Sequence, residues 1–156
     1  MTLRRFFSSF LACSIPLFYS CQGVDPALYE CEQLLEEINL VVIDAQTLTQ
    51  NEQTNDGGVP NLDIWLQAAD RLKTGAEAIA ELSISDNTLK THQTEISTIY
   101  SEQAQATYGM VQAWQNKDLQ AALKAQQQSA AAGTLEATAG EALNTYCQNK
   151  EKEAQT

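Results

Sequence analysis

Leu28, Cys31, Leu35, Ile38, Val42 and Ala45 recur at alternating spacings of three and four, the signature of one apolar stripe along a helix. The same spacing returns three more times before the chain ends, and it constrains the fold more than any other feature. Ala, Gln, Leu and Glu, all strong helix formers, dominate the composition, while Gly (7) and Pro (3) are sparse. β-Branched residues stand singly apart from Val41-Val42-Ile43. The expectation is an all-α chain.

The breaks define four helices. Asp25-Pro26 reads as an N-cap followed by proline at the first helical position. The first helix is expected to run to about Gln53, with Leu34, Val41 and Leu48 widening its stripe and Glu30, Glu37 and Asp44 opposite. Asn51 to Asn61 is polar, holds Asp56-Gly57-Gly58 and ends in Val59-Pro60, where glycine allows positive φ and proline blocks continuation. Asn61 then caps a second helix, whose inner face includes Leu62, Trp65, Ala69, Leu72, Ala76 and Ile79. Ser85-Asp86 caps a third, with Leu89, His92, Ile96, Ile99, Gln103, Ala106, Met110 and Ala113 inward and Trp114 beside them. A soft break at Asn116-Lys117-Asp118 precedes a fourth, expected to run to about Asn149. Its expected inner face is Leu119, Leu123, Gln126, Ala130, Gly133, Ala137, Gly140, Leu143 and Cys147. Each glycine in a helix costs about 1 kcal/mol of propensity, so Gly133 and Gly140 are expected to let a neighbouring backbone come close. Short connections make neighbours antiparallel. The expected fold is an up-down-up-down four-helix bundle over 27–149, with a flexible tail at 150–156. The rival is a single rod from Asp86 to Asn149.

The N-terminus carries its own logic. Arg4 and Arg5 precede an apolar run from Phe6 to Tyr19, about fourteen residues against the ~20 that span a bilayer. Charged start, short apolar middle and a small residue before the cut make an export signal over 1–20. Phe18-Tyr19-Ser20-Cys21 resembles a lipobox, the recognition site of bacterial lipoprotein signals, with Ser20 as the small residue before the cysteine. Phe18 and Tyr19 stand where that family usually has Leu and a small residue. The resemblance implies cleavage before Cys21, a lipid on Cys21, and a tether over 21–26 that holds the domain at a membrane on the periplasmic, extracellular or lumenal side. Cleavage after Gly23, which leaves no lipid, is the other reading. A second box at Phe10-Leu11-Ala12-Cys13 leaves too short an apolar region, and Arg4-Arg5 lacks the rest of a twin-arginine pattern.

Export bears on the remaining cysteines. Cys31 falls in the second turn of the first helix and Cys147 in the last turn of the fourth. Only the antiparallel hairpin brings these two places to the same end. A rod of ~95 Å, at 1.5 Å per residue, carries Cys147 away. In an oxidising compartment the pair is expected to form a disulfide, since cleavage removes Cys13 and the lipid blocks Cys21.

Charge and chemistry narrow the function. Removing the signal lowers Lys and Arg from 9 to 7 against 20 Asp and Glu, a net charge of −13. That field repels phosphate backbones, so no nucleic acid is expected as a partner. His92, the one histidine, stands on an apolar stripe without the Glu-x-x-His pairs of di-iron bundles or a Cys-x-x-Cys-His haem motif. His92 and Met110 lie about five turns apart on one helix and cannot clasp a haem between them. Phosphate loops, nucleophile elbows and Cys–His pairs are missing. Asp70, Glu77 and Glu81 read as a solvated acidic face. No cofactor, metal or enzymatic activity is expected. The overall pattern resembles small helical-bundle lipoproteins of bacterial envelopes and cyanobacterial thylakoid lumens, which implies an accessory, assembly or protein-interaction module with a protein partner. The alternative is a small-molecule sensor or carrier, its ligand between helices near Gly133 and Gly140.

Overall fold

The structure, a computed structural model, describes residues 25–50 and 61–155. The signal at 1–20, Cys21, most of the tether and the Asn51–Pro60 break lie outside the described residues. Four helices follow in order: α1 Pro26–Gln50, α2 Leu62–Glu81, α3 Asn87–Gln115 and α4 Leu119–Ala154. They form an up-down-up-down bundle, as the periodicity implies. Helix α4 continues to Ala154, past the expected end at Asn149 and through most of the segment read as a tail.

The helix starts follow from single side chains. The Asp25 carboxylate accepts from the N–H of Ala27 at 3.0 Å. Asn61 does the same for Asp63 at 3.1 Å, and Asp86 for Thr88 and Leu89 at 2.8 and 2.9 Å. Each satisfies N–H groups that have no partner within the first turn. The soft break at 116–118 is a full reversal. Lys117 takes φ 56°, and the N–H of Asp118 reaches back to the carbonyl of Ala113 at 2.9 Å. That six-to-one bond closes α3, and the Asp118 carboxylate then opens α4 through the N–H of Ala121 at 3.0 Å. No rod forms.

Helix α3 is the hub. It packs along α2 on one side and α4 on the other; α1 packs on α2 and makes few contacts with α3 or α4. The core gathers Cys31, Leu34 and Val41 from α1, Ile79 from α2, Leu89, Ile96, Ile99 and Tyr100 from α3, and Ala132, Ala139, Leu143 and Cys147 from α4. Two inner faces differ from expectation. On α1 the fully buried line is Leu34 and Val41, while Leu35, Ile38 and Val42 are only half-buried. On α4 the buried line is Ala125, Ala132 and Ala139, one step round from Gly133 and Gly140; Leu143 and Cys147 alone keep their expected place. Leu119 and Leu123 are exposed, at 73% and 50%. The reason is steric: a methyl every seven residues lets α3 and α4 lie close, so that a Cβ added at Gly109 would stand 3.7 Å from the Ala125 Cβ.

Gly133 and Gly140 approach nothing, for a Cβ built at either meets no atom within 4 Å. The close approach occurs at Gly75 on α2. A Cβ there would stand 2.2 and 2.6 Å from the two γ-carbons of Val41.

Candidate functional site

Two ends of the bundle differ in how they are held. At the end where α1 begins and α4 finishes, Cys31 and Cys147 form a disulfide, with Cα atoms 5.8 Å apart. Next to it, Glu30 is buried at 7% exposure. Its carboxylate accepts from the Ser85 hydroxyl at 2.6 Å, from the Ser85 N–H at 2.8 Å and from the Asp86 N–H at 3.0 Å. The Ser85 hydroxyl and the Asp86 and Ser85 amides hold this carboxyl below its ordinary range, against the opposing cost of burial. Gln93, buried on α3, donates to the carbonyls of Ile79 at 2.7 Å, Leu82 at 2.8 Å and Ala80 at 3.3 Å. Glu30 thus satisfies the N–H side of the α2–α3 turn and Gln93 its carbonyl side. The expectation placed Glu30 on the outer face. Its partners lie 55 residues away in sequence, so no local pattern signals the role.

His92 stands half-buried at this end, its ring 6.0 Å from that of Tyr146. Its Nδ1 is buried without a hydrogen-bond partner. Lys150 lies over the other ring, 5.7 Å from the Tyr146 centroid. Among the described residues no group of three or more His, Cys, Asp or Glu is placed to hold a metal ion. Asp70 accepts from the Tyr108 hydroxyl, and that bond pushes the Tyr108 pKa up to about 12. Glu77 and Glu81 are exposed.

Above the disulfide, α1 and α4 part. Between them runs a slot of about 700 Å³, within the range that ligand pockets occupy. Leu35, Ile38 and Val42 form one wall, Ile96 and Tyr100 of α3 the floor, and Gly133, Ala137 and Gly140 the other wall. Glu136 and Glu141 stand on the α4 side. Tyr100 is 2% exposed; burial, then the nearby Glu136 carboxylate, raises its pKa. Residues expected on the inner stripes of α1 and α4 therefore line a gap.

A second apolar hollow, about 470 Å³, lies at the α3–α4 tip, lined in part by Met110, Trp114, Leu119 and Leu123. Trp114, expected beside the core, is half exposed there. Trp65 is half-buried on α2 and shares a smaller recess with Met110 and Trp114.

The architecture defines a class, a disulfide-clasped helical bundle with one seam left open. Comparison with family models, with curated proteins and with solved structures finds no match to this chain. Among the described residues no helix is long and apolar enough to cross a membrane.

Proposed function

We propose that this chain is an extracytoplasmic lipoprotein, tethered to a membrane through Cys21, whose helical bundle serves as an accessory or protein-interaction module. The slot between α1 and α4 supports the interaction reading, since half-buried Leu35, Ile38 and Val42 stand there beside Asn39, Glu136, Glu141, Asn144 and Gln148, a mixed surface that the four helices leave uncovered. The Cys31–Cys147 disulfide supports export, since such bonds persist in oxidising compartments. Cys21→Ala is expected to move the protein from the membrane to the soluble fraction, and intact mass of the wild type to show acyl chains on residue 21. A mature N-terminus at Val24 refutes the anchor.

The same slot favours a second reading, a carrier with a small apolar ligand beside Gly133 and Gly140. Native mass spectrometry of protein purified from its own membranes separates the two. A stoichiometric small molecule supports the carrier; a co-purifying polypeptide supports the module.

A further inference from the structure

We propose that the α1–α4 slot is the docking site for a cationic amphipathic helix of a partner protein, an inference that rests on the interaction-module reading. The shape comes first. Two antiparallel helices joined at one end by a disulfide and apart above it leave a trough that sets Leu35, Ile38, Val42 and Ala137 beside the polar Asn39, Asn144 and Gln148, and an amphipathic helix meets such a mixed surface with its apolar stripe and its polar flanks. Leu35, Ile38 and Val42 repeat at the spacing that such a stripe meets.

The charge selects the occupant. Helix α1 contains Glu30, Glu32, Glu36, Glu37 and Asp44 and no Lys or Arg. Along α4 no Lys or Arg occurs between Ala125 and Asn149, and the ionisable carboxylates there are Glu136 and Glu141. Lys150, at the disulfide end, is the nearest cation on α4 and is engaged by Glu153 at 3.1 Å. Exposed Glu32 and Glu36 follow the α1 wall on its outer flank, and Glu141 stands on the α4 wall. The α4 rim is therefore negative, and the α1 wall is uncharged in the slot with exposed carboxylates on its flank. A second copy of this chain brings the same acidic rims and is repelled. A fatty acid brings a carboxylate to Glu136 and Glu141 and is disfavoured for the same reason. A helix with lysines or arginines flanking an apolar stripe meets both surfaces at once.

The test uses the purified protein and a labelled model peptide of about 18 residues, leucines on one face and lysines on the other, with a glutamate-for-lysine twin as control. Saturable binding of the cationic peptide at low salt is expected, weakened about tenfold as salt screens the rims. Gly140→Phe fills the slot where a Cβ meets nothing within 4 Å, and is expected to abolish binding without lowering Tm. Glu141→Lys leaves the floor intact and is expected to weaken binding up to about fivefold. Equal binding of both peptides, or binding indifferent to both variants, overturns the proposal. So does a dimer that Gly140→Phe dissolves, or an acyl chain that displaces the peptide and is found bound in untreated protein. Photo-crosslinkers at Asn144 in the slot and at Ser101 on the α2–α3 face separate this site from the broader reading. A membrane partner captured from Ser101 and not Asn144 refutes the slot and leaves the module standing; capture from neither refutes the module itself.

Discussion

Substituting alanine at two glycines of this bundle is expected to give opposite signs, and the structure supplies the reason. In Gly75→Ala the new methyl carbon would lie 2.2 Å from one γ-carbon of Val41, 2.6 Å from the other and 3.0 Å from its Cβ. Ordinary carbon contacts begin near 3.5 Å. Rotating Val41 about χ1 does not clear its Cβ, which is fixed to the α1 backbone, so α1 must move off α2. Overpacking of this kind costs about 1–3 kcal/mol, against which alanine returns about 1 kcal/mol of helix propensity. The difference spans about 0–2 kcal/mol, and with three atoms of Val41 in conflict the net effect is expected to be a loss toward the upper part of that range. In Gly140→Ala the methyl meets nothing within 4 Å, so only the propensity gain, about 1 kcal/mol, remains.

Thermal unfolding followed by far-UV circular dichroism reads the pair, at about 3–5 °C per kcal/mol for a domain of this size. Gly75→Ala is expected to melt below the wild type and Gly140→Ala above it. Val41→Ala removes both offending γ-carbons, so the double variant Val41→Ala/Gly75→Ala should be more stable than the two single losses predict, by about 1 kcal/mol or more. If Gly75→Ala melts at or above the wild type, or the double variant shows no coupling, the close packing of α1 on α2 at this point is refuted.

Reduction of Cys31–Cys147 opens a loop with a sequence separation of 116 residues, which the chain-entropy model values at about 4–5 kcal/mol; Tm in dithiothreitol should fall well below that of the oxidised protein, and thiol labelling should appear at both positions only after reduction. Glu30→Gln is expected to cost about 1–3 kcal/mol at neutral pH, since three donors of the α2–α3 turn lose a charged acceptor. The Glu30 carboxyl is held below its ordinary 4.5, so its contribution is complete above that pH and is lost as pH falls through the lowered value; the gap between wild type and variant in urea unfolding should close on acidification. Lys117→Gly relieves a left-handed backbone at φ 56° and is expected to raise Tm by a few degrees, with a gain of about 1 kcal/mol.

The parts of this fold that read directly from the sequence are those set by neighbours along the chain. Asn61, Asp86 and Asp118 each cap a helix through bonds to residues two or three positions ahead, so their role shows in a short window. The cysteine pairing was legible for a different reason: helix lengths and connections place Cys31 and Cys147 at one end, whatever the packing detail. Glu30, Gln93 and Gly75 were not legible. Glu30 and Gln93 serve a turn that other helices bring to them, and Gly75 is small because Val41 arrives from α1.

The misplaced inner faces share a cause. The apolar residues of α4 between Ala125 and Gly140 are alanines, glycines and one leucine, Leu135, which faces outward, so no large apolar side chain fixes which small face turns inward until Leu143. On α1 two adjacent lines are both apolar, Leu34 with Val41 and Leu35 with Ile38 and Val42, and periodicity alone does not rank them. The residues less buried than expected are the same ones that line the slot: Leu35, Ile38 and Val42, half-buried and packed against the core, on one wall, and Gly133, Ala137 and Gly140 on the other. The apolar face of α1 is wider than α2 and α3 can cover, and α4 turns its alanine line to α3 and leaves its glycines open. A sequence selected only for a closed bundle gains nothing from that surplus, because each glycine costs helix propensity and each half-buried leucine or isoleucine keeps apolar area in water. On the proposed reading, that surplus is the surface that a partner's apolar stripe covers.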